Sequence, residues 1–423
     1  MTDVLHVILE DVLAGTIEKL PSGRLRFTYD DSYKDRGDAT PLSLSMPVQV
    51  PVHHDNVITP WLWGLLPDND QVLTRWARRF QVSRTPFALL STQVGEDCAG
   101  AVRFAKPEQL DRALNRTGTI DWLSNEEVAS RLRELREDST NWLGREFNGQ
   151  FSLAGAQAKT ALLYVDGHWG QPTGAEPTTH ILKPAVAGFE NHDLNEHLCL
   201  SASRLAGLLA VRTKVSRFGD ESAVVIDRYD RTIEGGTIVR VHQEDLCQAL
   251  GIPPTEKYQN DGGPSPATIA DLLRRAMSPQ VADEAVRRFT DALIWNWLIA
   301  GTDGHAKNYS LLLAGDQVRL APLYDIASAL PYEVHEKKLR LAMKIGGDYR
   351  IFPERNNWTK AASELGLDPD ALIERVRELG AILPDAFADA AKTSEVVTLD
   401  GPMPVNLVNL VTERVGRCLR VLD

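Results

Sequence analysis

The sequence predicts an α+β protein, with an α/β N-terminal half, a mostly helical C-terminal half and any cleft between them. Three observations lead there. Residues 150–245 carry short β-prone runs punctuated by turn residues. From about residue 246, apolar side chains recur at helical spacing. The chain has 423 residues, too many for one hydrophobic core, so two or three domains are expected.

Residues 1–112 read as an N-terminal subdomain of short strands and turns with one helical stretch. Within it, Gly64-Leu65-Leu66-Pro67-Asp68-Asn69 supplies turn residues, and Pro67 suits a turn or a first helical position. Residues 113–145 are charged and, from 115 on, helical in period (Glu126, Glu127, Arg131, Arg133, Glu134, Arg136), and are expected to link this region to the next. Residues 146–247 read as a strand meander with one inserted helix. Thr160–Val165 is β-prone and is followed by Asp166-Gly167, a type I′ hairpin signal. Residues 178–183 form a further strand ended by Pro184, residues 195–209 have helical spacing, and residues 223–229 return to strand.

Residues 248–423 make the helical part. Ser265-Pro266 pairs an N-cap with proline at the first helical position, and Ile269, Leu272 and Leu273 follow on one face. Across residues 281–300, Val281, Ala285, Phe289, Leu293 and Trp297 recur every four positions as one apolar stripe, which Gly301 is expected to stop. Residues 404–422 form a last amphipathic helix.

Composition is that of a soluble globular protein, 43% hydrophobic and 25% charged. With 46 basic against 58 acidic residues the net charge is -12. Such a chain is a poor stand-alone DNA binder, because affinity for DNA comes mainly from Lys and Arg on phosphates. Cys98, Cys199, Cys247 and Cys418 are far apart with no Cys-x-x-Cys pair, as expected of reduced, buried thiols in a cytoplasmic protein. The N-terminus lacks the basic start of a signal peptide, and no apolar run approaches the ~20 residues of a membrane span.

The chemistry concentrates in Thr302-Asp303-Gly304-His305-Ala306-Lys307-Asn308, directly after the buried helix. Two apolar runs follow, separated by Gly315-Asp316, and then Tyr324-Asp325. Folding the chain about that two-residue turn sets Asn308 opposite Leu323, with Asp325 just beyond and Asp303 a few residues before the hairpin. One Asp and one Asn offer the hard oxygens that suit Mg²⁺, and the remaining carboxylate can accept a hydroxyl proton. Taken singly, each has a plainer role: Asp303 can cap a turn, Asn308 can pair with backbone and Asp325 can cap a helix. Jointly, the order Asp-x-x-x-x-Asn, hairpin, Asp is that of a protein kinase catalytic loop and metal aspartate, which predicts an ATP-dependent phosphotransferase of two-lobed, protein-kinase-like fold.

Lys183, after His180-Ile181-Leu182, stands where a kinase strand carries its ATP-gripping lysine, and Glu196 is its candidate ion-pair partner; a solubilising edge-strand lysine is the alternative. Ser152-Leu153-Ala154-Gly155-Ala156-Gln157-Ala158-Lys159-Thr160 leads into a strand, and its small residues would let backbone N–H groups approach phosphate oxygens. It is no Walker A loop, and an ordinary tight turn is equally open. His192 and His197 lie five positions apart, about 140° around a helix, so they cannot share a metal. His53-His54 reads as a surface turn, Trp295 and Trp297 as divided between the core and a second packed surface, and Asp261-Gly262-Gly263-Pro264 as a mobile loop near the cleft mouth.

With these residues in place, the chain resembles the HipA family of toxin kinases from bacterial type II toxin–antitoxin modules. Residues 152–159 resemble the family's S-[VLI]-A-G-A-Q-x-K segment and Thr302 to Asn308 its T-D-G-H-A-K-N. Tyr324-Asp325-Ile326 and Gln243-Glu244-Asp245 fit as well. Pro41-Leu42-Ser43-Leu44-Ser45, Leu65-Leu66-Pro67-Asp68 and the run from Gly95 to Val102 resemble its N-terminal subdomain, so the likeness runs almost end to end. It implies a Ser/Thr protein kinase that uses ATP and Mg²⁺, arrests growth by phosphorylating an aminoacyl-tRNA synthetase, and is held by a small helix-turn-helix antitoxin that represses the operon. By position, Asp303 would be catalytic, Asn308 and Asp325 the Mg²⁺ ligands, and Lys183 the ATP phosphate contact. Ser152, Ala154, Gly155, Ala156, Gln157, Asp227, Tyr229, Lys307 and Tyr324 would complete the nucleotide site, with Asp227 and Tyr229 bonding adenine through backbone. Ser152 would be the autophosphorylated serine that switches the kinase off, since a phosphoserine's near-double negative charge cannot sit beside ATP phosphates. Ala158 stands where many members have an acidic residue. A small-molecule phosphotransferase of kinase-like fold, or a catalytically silent partner of a DNA-binding repressor, are the competing readings.

Overall fold

A computed structural model of the chain describes residues 3–144, 150–185, 188–332 and 338–422, so the boundary expected between residues 145 and 146 lies outside the described residues. Among the described residues the architecture is α+β, with the two lobes and helical C-terminal half expected.

The N-terminal region is a five-stranded antiparallel sheet in the order Val52–His54, Leu25–Tyr29, Val12–Lys19, Asp3–Leu9, Val102–Ala105. Leu25, Phe27 and Tyr29 alternate inward on one strand, as a period of two requires, and meet the helix Asp55–Gly64 through Ile58, Trp61 and Leu62. His53 belongs to this sheet and not to a surface turn. It is buried, its Nε2 lies 3.2 Å from the Pro47 carbonyl, and it pairs with Phe27 on the neighbouring strand, whose ring it faces at 6.3 Å. After Leu65-Leu66-Pro67-Asp68, Asn69 caps the helix Asp70–Phe80 by accepting from the N–H groups of Gln71 and Val72, worth about 1 kcal/mol.

A six-stranded antiparallel sheet follows, in the order Thr213–Phe218, Glu221–Asp227, His180–Pro184, Thr160–Val165, His168–Gly174, Gly118–Leu123. Val165 pairs with His168 across Asp166 (φ 51) and Gly167 (φ 83), the two positive φ values of the expected type I′ turn. The helical reading of residues 115–145 covers two different elements. Asn125–Glu137 is a helix capped by a reciprocal Ser124–Glu127 box, but Gly118–Leu123 is an edge strand paired with His168–Gly174. The helix lays Val128, Ala129 and Leu132 on Leu162, Trp169, Leu182 and Val225 of the sheet. The other side carries His192–Leu205, the inserted helix, which joins the C-terminal core through Leu198 and Leu200.

The C-terminal half is built on Pro266–Ala276, Pro279–Leu298, Arg355–Leu365, Pro369–Ala390 and Met403–Arg420. Ser265 caps the first by accepting from Thr268 N–H, as expected. Trp295 stacks on Phe387 and Trp297 packs edge-on against Trp358, both fully buried, so the two tryptophans serve opposite sides of one core. Truncating either to alanine costs ~3–5 kcal/mol. The left-handed residue that closes Pro279–Leu298 is Ala300, not Gly301. Ala300 takes the left-handed conformation (φ 54) while Gly301 N–H reaches back to the Asn296 carbonyl at 2.7 Å. Two hairpins interrupt the helices, and the one formed by Arg340–Ile345 and Asp348–Arg350 was not expected.

A buried charge cluster ties the short strand Asp97–Cys98 to the hairpin of Arg231–Glu234 and Thr237–Arg240 and to the chain just after Glu221–Asp227. Asp97 accepts from Arg228, Arg231 and Arg240, Asp230 accepts from Arg228, and all five side chains are buried. Asp97–Cys98 in turn pairs in parallel with Phe151–Ser152, at the start of the small-residue loop.

Candidate active site

The site begins with the hairpin. Ser310–Ala314 pairs with Gln317–Leu320 about Gly315-Asp316, Leu311 opposite Leu320 and Ala314 opposite Gln317, the expected register. His242–Asp245 flanks it on the other side. The loop before the hairpin and the residues after it both open into one cavity of about 660 Å³, lined by Asp303, Lys307, Asn308, Tyr324 and Asp325. The six-stranded sheet contributes Lys183 and Asp227 to the same walls, the turn after it Tyr229, and the small-residue loop Ala154, Gly155, Ala156 and Gln157.

Lys183 is buried where the halves meet. Its Nζ donates to Glu196 Oε1 at 2.7 Å and to Asp325 Oδ1 at 2.6 Å. Burial alone would push the ammonium's pKa down, but the two carboxylates hold it well above the usual lysine value. Asp325 is likewise held far below the usual carboxylate range, burial opposing and Lys183 and Lys159 prevailing. Burial raises Glu196 despite Lys183. Asp325 also sits at φ 56, a left-handed conformation that aims its side chain back at the sheet.

Asn308 donates from Nδ2 to the Asp303 carbonyl at 2.7 Å, which fixes the loop and leaves its amide oxygen for another partner. Asp303 is exposed at the cavity surface, its Oδ1 accepting from Tyr258 Oη at 2.5 Å. No group of three or more His, Cys, Asp or Glu among the described residues is placed to hold a metal ion. The donor set offered to a divalent cation is thus the Asn308 carboxamide and the Asp325 carboxylate, an oxygen pair that fits Mg²⁺ completed by water and phosphate.

The small-residue loop is held from behind. Gly155 adopts φ 103, a backbone conformation that residues with a Cβ rarely take, which is what favours glycine here. Lys159 Nζ donates to the Ala154 carbonyl at 2.5 Å and lies 5.0 Å over the Trp142 ring; burial, with Lys183 adding to it, pushes its pKa down to about 8. Ser152 does not line the cavity. It is fully buried, and its Oγ donates to the Leu65 carbonyl at 2.8 Å. Tyr229 stacks on Tyr324 at 5.6 Å, and Tyr324 Oη donates to the Lys307 carbonyl at 2.7 Å, closing the far end.

Comparison with known proteins places the fold and the family. Residues 5–105 match the HipA N-terminal domain, and residues 151–387, more than half of the chain, match the HipA-like C-terminal domain. The chain belongs to the HipA family. The Sinorhizobium fredii protein Y4mE, a kinase by name, is 30% identical over 94% of each chain. The serine/threonine-protein kinase toxin HipA of Shewanella oneidensis is 26% identical over 90% of this chain and 88% of its own. A solved Shewanella oneidensis structure of HipA, HipB and operator DNA superposes with a TM-score of 0.81 at 23% identity, covering 99% of this chain and 100% of that one. The fold is therefore that of a HipA kinase toxin.

Within this HipA-family cleft, sequence reasoning passed over three residues. Asp68 accepts from Lys307 at 2.5 Å and from Lys257 at 2.8 Å, and burial would raise its carboxyl were the two lysines not holding it low. Its N–H donates to the Gly155 carbonyl at 3.0 Å. Asp68 stood out as a turn residue and as part of a family-like segment but not as a site residue, because partners 189 and 239 positions away leave no local trace. Lys257 and Tyr258, between a diproline and a diglycine, were equally silent.

Proposed function

We propose that this HipA-family chain is an ATP-dependent Ser/Thr protein kinase that arrests growth by phosphorylating a protein substrate, an aminoacyl-tRNA synthetase in the reading the family likeness supports. The observation that carries it is the convergence of Lys183, Asp303, Asn308 and Asp325 on one cavity backed by a glycine-bearing loop. In this reading the backbone of Ala154–Gln157 and Lys183 hold the nucleotide phosphates, while Tyr229 and Asp227 flank the adenine end. Asn308 and Asp325 would hold Mg²⁺, which when bound neutralises charge on the phosphates. Asp303 accepts the proton of the attacking hydroxyl as its oxygen bonds to the terminal phosphorus and the bond to the ADP oxygen breaks. Exposure of Asp303 supports this role, since a base for a macromolecular hydroxyl must be reachable from outside.

Autophosphorylation of Ser152 would act as an off switch. A buried hydroxyl bonded to the Leu65 carbonyl cannot keep its place once it carries a phosphate, so the loop must leave with it. The partner in this proposal is a HipB-like helix-turn-helix antitoxin, through which contact with DNA is indirect. The test is incubation of purified protein with labelled Mg-ATP, alone and with lysate, beside Asp303→Asn. The expected outcome is phosphate incorporation and growth arrest by the wild type, with a loss of at least ~10²-fold in rate for the variant. No incorporation into any protein, together with undiminished toxicity of Asp303→Asn, rules the kinase reading out.

A further inference from the structure

We infer that Tyr258 is a positioning residue for Asp303, set in place by a clamp that the N-terminal subdomain closes through Asp68; this rests on the kinase reading of the cleft. Asp303 projects into an exposed part of the cavity. What holds its carboxylate, among the described residues, is one hydrogen bond, from Tyr258 Oη to Oδ1. His305 Nε2 stands 3.9 Å from the same oxygen, beyond hydrogen-bond reach. The Tyr258 bond occupies one carboxylate oxygen and leaves Oδ2 for a substrate hydroxyl. A phenol is suited to the task, being a single donor on a rigid ring. The ring stands edge-on to buried His305 at 4.8 Å and 88°, so it cannot swing without displacing the catalytic loop's own residue.

The segment bearing Tyr258 is fastened on three sides. Lys257 Nζ donates to Asp68 Oδ2 at 2.8 Å, and the Lys257 carbonyl accepts from Ala306 N–H of the catalytic loop at 3.2 Å. The Tyr258 carbonyl accepts from Asp261 and Gly263 N–H groups, both at 2.9 Å. The diglycine singled out in the sequence finds its purpose here. A Cβ on Gly263 would lie 2.4 Å from the Glu256 carbonyl and 2.8 Å from that of Tyr258, so a larger residue would push the segment outward. Asp68 also holds Lys307 and, through its N–H, the carbonyl of Gly155. One residue of the N-terminal subdomain thus keeps the small-residue loop, the catalytic loop and the Tyr258 segment in fixed relation.

The experiment measures the initial rate of phosphate incorporation from labelled Mg-ATP into the full chain itself, as a function of ATP, for wild type, Tyr258→Phe, Asp303→Asn, the double variant and Gly263→Ala. Tyr258→Phe is expected to lower the maximal rate about tenfold or more, the usual scale for a misplaced reacting group, with half-saturating ATP and thermal midpoint unchanged. In the Asp303→Asn background the same substitution is expected to have no further effect, which a general structural role would not produce. Gly263→Ala should reproduce the loss of maximal rate by displacing the segment instead of removing the donor. If the wild type is active and Tyr258→Phe matches it, or if the loss persists in full in the Asp303→Asn background, the inference is overturned while the kinase reading stands. If the wild type incorporates nothing into itself, the inference is overturned, and the kinase reading fails with it only if lysate proteins take up no phosphate and Asp303→Asn is as toxic as wild type.

Discussion

Lys183 Nζ donates to Asp325 Oδ1 at 2.6 Å, joining the middle of the six-stranded sheet to the segment just beyond the hairpin about Gly315-Asp316. The same ammonium holds Glu196 of the helix behind it, so one cation satisfies two carboxylates in a buried setting. Replacing Lys183 by Met is expected to reduce phosphotransfer by at least ~10²-fold. It should also lower stability by up to ~3–5 kcal/mol, because Glu196 and Asp325 keep their burial and lose their counter-charge. Labelled-ATP incorporation and urea unfolding check the two effects separately. A variant as stable as wild type would show that the triad carries no structural role.

The Ser152 hydroxyl donates to the Leu65 carbonyl inside a short parallel pairing with Cys98. Ser152→Ala should retain phosphotransfer, lose self-inactivation and cost ~1 kcal/mol for one buried hydrogen bond. Ser152→Asp places a buried carboxylate against a carbonyl oxygen. It is expected to abolish phosphotransfer and to expose residues 150–159 to limited proteolysis. Wild-type activity in Ser152→Asp would remove the basis for an off switch at this position.

What the sequence disclosed and what it withheld divide along range. The hairpin about Gly315-Asp316 was legible to its register because turn chemistry and alternation are local, and so was the approach of Lys183 to Glu196, one strand and one helix apart. Gly118–Leu123 was misread because its alternation, Ile120 and Trp122 between Thr119 and Asp121, spans few positions and runs straight into a charged helical segment. Its existence depends on pairing with residues 168–174. Gly301 was the expected helix stop, but the left-handed turn falls one residue earlier on Ala300, whose carbonyl accepts from the distant Ala329 N–H at 3.1 Å. Asp68 meets Lys257 and Tyr258 meets Asp303 only when three distant segments come together, and no periodicity or turn signal encodes that meeting.

Glu244 gives a pH-dependent outcome. It is fully buried in the strand beside the hairpin, accepts from Leu44 N–H at 2.8 Å, and burial pushes its pKa up to about 8 from 4.5. A raised carboxyl pKa means that the folded state binds the extra proton, so stability declines as pH rises from about 4.5 to 8. Glu244→Gln removes that titration. Its stability relative to wild type should be flat below pH ~4.5 and improve by up to a few kcal/mol toward pH ~8, since each tenfold difference in proton affinity between folded and unfolded states is worth ~1.4 kcal/mol. Urea unfolding at a series of pH values tests this, and a constant difference across the series contradicts it.

Asp97 shifts in the opposite direction. Burial alone would raise its carboxyl, but Arg231, Arg228 and Arg240 hold it far below the usual range. Its folded-state pKa lies below the unfolded value, so its stabilisation is complete above pH ~4 and is lost as pH falls further, toward the folded value. Asp97→Asn keeps the shape and removes the charge, leaving three buried guanidinium groups with less compensation. At pH 7 it is expected to cost ~3–5 kcal/mol. The gap from wild type should narrow below pH ~4, where the wild-type carboxyl begins to bind its own proton. The cluster also positions Asp97–Cys98, against which Phe151–Ser152 is paired, so the variant should release the small-residue loop before the sheets unfold. Hydrogen exchange at residues 150–159, compared with the strands at 160–165 and 180–184, reads that order. Equal protection loss in the loop and the strands would show that the cluster serves global stability alone.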